Sequence, residues 1–212
     1  MEKSEKIIQA YIEHFIENGN RPASVFAFAK KLKMKEAEFY EFYNSFELLE
    51  SDIWLRFFET TRKKIEAEEI YAGYSIREKL LAFYYTWVEV LKENRSYVIL
   101  AWQSIDRKKL KTPTFLGPFK AAFKDFANSL VSEGKESREV ASRRYLDERY
   151  ADAFWLQALL ILDFWVKDPS KSFEKTDAFI EKAVNTSFDL IGASALDSVL
   201  DLAKFLYQHH KA

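Results

Sequence analysis

The stretch Ser24–Glu50, SVFAFAKKLKMKEAEFYEFYNSFELLE, constrains the chain most, because two short helical patterns meet there at a tight turn and run at once into a longer third. Ser24 is placed to cap the first helix, and Val25, Phe28, Ala29 and Leu32 follow at spacings that put one apolar face over two turns. Lys33 to Lys35 form the turn. Ala37, Phe39, Tyr40 and Tyr43 carry the second pattern, in a helix too short to stand alone, so its neighbours must hold it. Two short helices joined this way make a helix-turn-helix.

The rest of the chain reads as helices. Only five Gly and four Pro occur in 212 residues, which leaves few turns. From Ser4 to Asn18, Ile7, Ile8, Tyr11, Ile12, Phe15 and Ile16 recur at helical spacing, and Gly19 is placed to end that helix. Phe46 to Ile70 reads as one long helix with Leu49, Ile53, Phe57 and Thr61 on a stripe and Trp54 and Phe58 beside it. Tyr71 to Tyr74 breaks the pattern, and Ser75 with Glu78 has the spacing of a capping box. Ile76, Leu80, Phe83, Tyr84, Trp87 and Leu91 then mark an inner face, and a further helix from Ser96 carries Val98, Ile99, Trp102 and Ile105. After a break at Thr112 to Pro118, Phe119, Phe123, Phe126 and Leu130 repeat at four, three and four, with Gly134 expected to close the segment.

Tyr145 to Lys167 differs, since Phe154 to Leu162 leaves almost no polar face, and a helix apolar all round is buried on more than one side. Thr176 to Ile191 is helical again, stopped by Gly192, and Ser194 to His210 forms a closing helix best used as a packed cap. The expected fold is all-α. Residues 1–50 form an N-terminal three-helix helix-turn-helix domain, joined by a long helix to a larger helical bundle over 51–212.

The helix-turn-helix stretch resembles the DNA-binding domain of the TetR family of bacterial transcription regulators. Phe28-Ala29 stand where the family has an Ile-Ala pair, Phe39-Tyr40-Glu41-Phe42-Tyr43 where it has an aromatic core, and Ser45-Phe46-Glu47-Leu48-Leu49 where the next helix begins. The resemblance implies a homodimer that binds double-stranded DNA and responds to a small hydrophobic or lipid-like ligand. Ser24, Lys30, Lys31, Lys33, Lys35 and Tyr40 are then the candidate DNA contacts, and Tyr84, Trp87, Trp102, Phe119, Phe123 and Phe126 the candidate ligand lining. The last two long helices resemble the family's dimerisation pair, so Phe154, Trp155, Leu159, Leu162, Phe179, Ala183 and Phe188 are the expected interface, as burial of exposed apolar surface requires.

The exterior of the head departs from the family. Its usual Arg early in the first helix is Phe26 here, its turn Gly is Lys33, its Ser or Thr at the start of the second helix is Lys35, and its Lys opening the long helix is Phe46. Seven basic and nine acidic side chains fall within residues 1–50, whereas phosphate neutralisation needs cations. Glu36, Glu38 and Glu41 are expected to face or flank the major groove. An acidic head with Phe26 and Phe46 exposed keeps a second reading open, a TetR fold without DNA binding that resembles the lipid-binding Coq9 family of ubiquinone biosynthesis. The closing helix carries few basic residues, which speaks against a membrane-surface role.

Residue types put an enzyme a distant third. Cysteine is absent, and the three His offer no metal-ligand spacing, with His209 and His210 adjacent and His14 inside a helix pattern. No phosphate-cradling Gly loop or nucleophile motif occurs, so neither enzyme nor cofactor is expected. The charged opening is unlike a secretory signal, and no run approaches the ~18 apolar residues of a spanning helix, so the expected location is the cytoplasm.

Overall fold

The computed structural model describes residues 3–105, 113–140 and 149–191, and among these residues all regular structure is helical. In chain order the helices are α1 (Lys3–Asn18), α2 (Val25–Lys31), α3 (Glu36–Tyr40), α4 (Phe46–Glu66), α5 (Ile76–Lys92), α6 (Arg95–Gln103), α7 (Gly117–Glu136), α8 (Tyr150–Lys167) and α9 (Glu174–Ile191). The basic run Arg107-Lys108-Lys109, Gly192 and the expected closing helix from Ser194 to His210 lie outside the described residues.

Local chemistry sets the boundaries. Gly19 adopts φ +69 and returns its N–H to the Phe15 carbonyl at 2.9 Å, closing α1 in a conformation that glycine tolerates without cost. The Ser24 hydroxyl accepts the Ala27 N–H at 3.1 Å at the start of α2. At α5 the capping is reciprocal: the Glu78 carboxylate accepts the Ser75 N–H at 2.8 Å, while the Glu78 N–H reaches the Ser75 hydroxyl at 3.3 Å. Helix α4 stops at Glu66, four residues before the expected end, and a 3-10 turn over Glu69–Gly73 makes the connection.

Contacts divide the chain into two units, one of Met1–Arg62 with Trp87–Ala122 and one of Lys63–Thr86 with Phe123–Ala212. The expected head, 1–50, falls wholly in the first. That unit is built on rings: Phe28 meets Phe39 at 6.1 Å and Phe46 at 5.6 Å edge to face, and Tyr11 lies 5.5 Å from Phe46. Such pairs add ~0.5–1.5 kcal/mol each beyond area burial. A second ring group joins Trp54 to Phe57 and Phe119, with Trp87 5.5 Å from Phe119. Phe15 on α1 meets Tyr97 of α6 at 5.6 Å.

A polar network gathers around the buried Glu50 of this unit. Arg21 donates two bonds to Glu50, at 2.8 and 2.6 Å, and the Tyr11 hydroxyl donates to the same carboxylate at 2.5 Å. Glu50 is buried, so its charge is tolerable only because it is paired and fully hydrogen-bonded.

In the second unit Phe83, Phe123 and Phe126 pack together, with centroids 5.4 Å apart for Phe83 and Phe123 and 5.1 Å for Phe83 and Phe126. The Tyr84 hydroxyl donates to the Phe154 carbonyl at 3.1 Å, and buried Gln157 on α8 donates to Ser187 on α9 at 2.8 Å. Gly134 does not close α7, which runs on to Glu136. Its role is close approach: a Cβ there would press into Ile76 and stand 2.8 Å from Val140 Cγ2. Gly134→Ala therefore gains about 1 kcal/mol of helix propensity and loses more to overpacking, for a net destabilisation of about 1–2 kcal/mol, read from denaturant unfolding. A stabilised Gly134→Ala protein would show that the site relaxes freely.

Asp168 organises the entry to α9. Its carboxylate accepts the Thr176 N–H and hydroxyl, at 2.9 and 2.7 Å, and the Ser170 N–H at 2.8 Å. Burial alone would raise its pKa, but the Ser170 and Thr176 hydrogen bonds overcome this and hold it at about 2. A depressed folded pKa gives stability that is complete above the ordinary carboxylate value and lost as pH falls through about 2. Asp168→Ala should cost about 1–2 kcal/mol at neutral pH, as loss of a helix cap does. The gap between parent and variant in thermal unfolding should narrow below pH 4; a gap independent of pH would mean the carboxylate charge contributes nothing.

Candidate functional site

The helix-turn-helix is assembled from two buried anchors per helix. Phe28 and Ala29 fasten α2 inward, and Phe39 and Tyr43 do so for α3 and the turn after it. Ala37 and Tyr40, expected in the apolar pattern of α3, are exposed instead, because five residues of helix present only one narrow inner stripe. Lys33, standing where the family has its turn glycine, takes φ +56. A lysine in the left-handed region costs roughly 1–2 kcal/mol, and the packing of α2 against α3 must hold it there. The Tyr43 hydroxyl, its pKa raised by burial and then by its acceptor, donates to Asp52 at 2.6 Å. Arg56 donates to Asp52 at 2.9 Å and to Glu5 at 3.0 Å, which ties α4 to both α1 and the end of the helix pair.

All six expected DNA-contact residues, Ser24, Lys30, Lys31, Lys33, Lys35 and Tyr40, are exposed. Lys30, Lys33 and Lys35 share a surface groove with Phe26, Met34, Glu36 and Glu38. The carboxylates of α3 are engaged rather than free. Glu38 accepts the Lys35 N–H at 2.8 Å and the Lys3 ammonium at 3.2 Å, and these bonds lower its pKa. Glu36 accepts the Tyr40 hydroxyl at 3.2 Å. Lys31 pairs with Glu17 at 3.4 Å between two exposed side chains, a contact worth little that a phosphate readily displaces. Glu50, counted among the nine acidic residues of the head, is buried against Arg21, so that pair presents no net charge to a ligand.

The two phenylalanines expected to be exposed part company. Phe26 is 60% exposed, whereas Phe46 packs against Tyr11, Phe28 and Phe39 at 5.5 to 5.7 Å. Its position three residues before Leu49 and seven before Ile53 puts it on the buried stripe of α4.

On α8 the expected interface residues Phe154, Trp155 and Leu162 are buried in the chain's own core, as is Phe188 on α9. The exposed line on α8 is Leu156, Leu160 and Phe164, four residues apart, and the periodicity of an all-apolar helix could not single it out. Leu159 is half-buried. On α9, Phe179 and Ala183 are half-buried and Leu190 is exposed. Phe164 stacks on Phe179 with centroids 4.6 Å apart and planes 11° from parallel, joining the two helices into one apolar face. A groove beside it is lined by Leu160, Phe164, Phe179 and the flanking Asp163, Lys167 and Lys175.

The six expected ligand-lining aromatics are all buried. Tyr84, Phe123 and Phe126 belong to the second unit, where Phe123 also lies 5.9 Å from Trp155; Trp87, Trp102 and Phe119 belong to the first. Among the described residues no helix is long and apolar enough to cross a membrane.

Comparison with known proteins bears on both halves. The family described as Tetracyclin repressor-like, C-terminal domain, matches residues 79–206, more than half of the chain. No curated protein matches. Among solved structures, a protein of Shewanella sp. PV-4 assigned to the TetR family of transcription regulators superposes with a TM-score of 0.65 at 15% identity, covering 91% of this chain and all of its own. A protein of unknown function from Rhodococcus sp. RHA1 gives 0.60 at 13% identity, over 91% of this chain and 97% of its own. A regulatory protein in the TetR family, also from Rhodococcus RHA1, gives 0.58 at 16% identity, over 92% and 100%. At these identities the structures attest the fold alone, and they do so across the head as well as the body. The residues matched by the family, taken with the helix-turn-helix and the helical body, establish that the chain belongs to the TetR family.

Proposed function

We propose that the protein is a dimeric transcription regulator whose helix-turn-helix binds duplex DNA and whose affinity for DNA is set by a hydrophobic or lipid-like ligand in the C-terminal domain. The observation that carries the DNA reading is the outward display of Lys30, Lys31, Lys33 and Lys35 around α2 and the turn, while Glu38 is held by a backbone N–H and Lys3. Ser24 and Tyr40 add neutral donors beside them. In a two-fold dimer the cations double, and the two copies of α3, one from each protomer, enter successive major grooves.

Ligand control requires that the ligand prefer the conformer whose heads are spaced wrongly for DNA. Tyr84, Trp87, Trp102, Phe119, Phe123 and Phe126 are the rings proposed to meet it. Dimerisation is assigned to the face of Leu156, Leu160, Phe164, Phe179, Ala183 and Leu190.

The test is a mobility shift with DNA from upstream of the protein's own gene, repeated over a salt series. Each phosphate neutralised contributes about 0.9 to the slope of log K against log salt, so eight lysines from two heads give a slope of roughly 7 if all of them engage. No shifted band at low salt would reject the DNA reading and favour the Coq9-like one, in which extraction and mass spectrometry of a co-purified lipid becomes the deciding measurement.

A further inference from the structure

We infer that Phe26 is a direct contact to the DNA, reading thymine methyl groups through its exposed ring. The inference rests on the DNA-binding function proposed above and assigns one of its specificity determinants. Phe26 is 60% exposed in the first turn of α2, where Phe28 and Ala29 take the inward positions and leave it no place in the core. It lines the same groove as Lys30, Lys33, Met34, Lys35, Glu36 and Glu38.

That combination selects the occupant. An apolar ring beside three ammonium groups, with Glu38 already held by Lys3, suits a surface that is anionic at its edges and apolar at its floor, and a duplex offers both, phosphates on either side and the C5-methyl of thymine in the major groove. A membrane or an acidic peptide would meet the same cations, but the ring stands on the helix-turn-helix itself, the element proposed above to lie on the duplex. A ring carries no hydrogen-bonding group, so it separates thymine from cytosine by the methyl alone.

The experiment uses the whole protein and a duplex recovered by selection from a random-sequence pool, together with copies in which thymines are replaced one at a time by deoxyuridine, which removes only the methyl. Wild-type protein should lose about 3- to 10-fold in affinity at one or two thymines of each half-site. Phe26→Ala should bind the unmodified duplex more weakly by a similar factor and be indifferent to deoxyuridine at those positions. Phe26→Arg should bind non-selected duplex more tightly and with a steeper salt dependence. Because Phe26 is exposed, both variants should unfold at the wild-type temperature, and this is checked first. A Phe26→Ala protein with wild-type affinity and undiminished sensitivity to deoxyuridine overturns the inference while leaving DNA binding standing. A wild-type chain that enriches no duplex overturns both.

Discussion

A Leu156→Glu, Leu160→Glu double variant should be monomeric under conditions where the parent protein is a dimer, and it should lose operator binding while keeping its thermal stability as a protomer. Both leucines are more than half exposed in the single chain, at 57% and 53%, so their replacement by a good helix former should change the fold's stability by no more than about 0.5 kcal/mol. In a two-fold interface each is buried twice over. Nearly half of each side chain is already covered in the protomer, so at about half of the ~1.5–3 kcal/mol for a whole leucine side chain four leucines give a dimer roughly 3–6 kcal/mol, and four carboxylates facing one another add repulsion and desolvation. Even the lower figure is more than about a 100-fold change in dissociation constant. Phe164, already stacked on Phe179, should be insufficient alone to restore the pair. Sedimentation velocity at micromolar concentration reads the result. A double variant that remains dimeric would move the interface off this face, and would do so without touching the argument for DNA binding.

The contrast between Leu156 and Phe154 shows how far periodicity reaches. Along α8 almost every side chain is apolar, so the pattern establishes that the helix is enclosed but assigns no side to its own core, and the polar Gln157 is misleading because it turns inward, where its amide donates to Ser187. Where one face is polar, the reading is sharp: the stripe Leu49, Ile53, Phe57 and Thr61 on α4 is buried at every position. Phe46 extends that same stripe, and only its correspondence to a lysine of the family made it look like surface. Caps were legible because each is closed by residues three apart, as in Ser24 with Ala27 and Ser75 with Glu78. Gly134 was not, since a glycine at a helix end and a glycine beneath Ile76 are the same letter, and only the packing distinguishes them. The display of lysines around α2 was visible in the sequence, whereas the engagement of Glu38 by Lys3, 35 residues away, required the fold.

The second large effect is expected at Phe39. This ring is fully buried, between Phe28 at 6.1 Å, Tyr43 at 6.0 Å and Phe46 at 5.7 Å, and it is the buried side chain of the five-residue helix α3. A helix of that length has no stability of its own, so the position of its outward residues depends on the anchor. Phe39→Ala should cost about 3–5 kcal/mol, a large share of the ~5–15 kcal/mol that holds a typical domain folded. The loss should fall on the head, with hydrogen exchange rising first across α2 and α3, since Phe28 and Phe46 lose the same partner. DNA affinity should fall with it, because Lys35 and Tyr40 are oriented by the helix that melts. Tyr40→Ala provides the control. Its ring is 46% exposed and its hydroxyl serves only Glu36, so stability should change by about 0.5 kcal/mol or less while DNA affinity drops through a lost contact. Equal stability losses in the two variants would mean that α3 is held by its outer face as much as by its inner one, and the division of this helix into an anchor and a reading surface would fail.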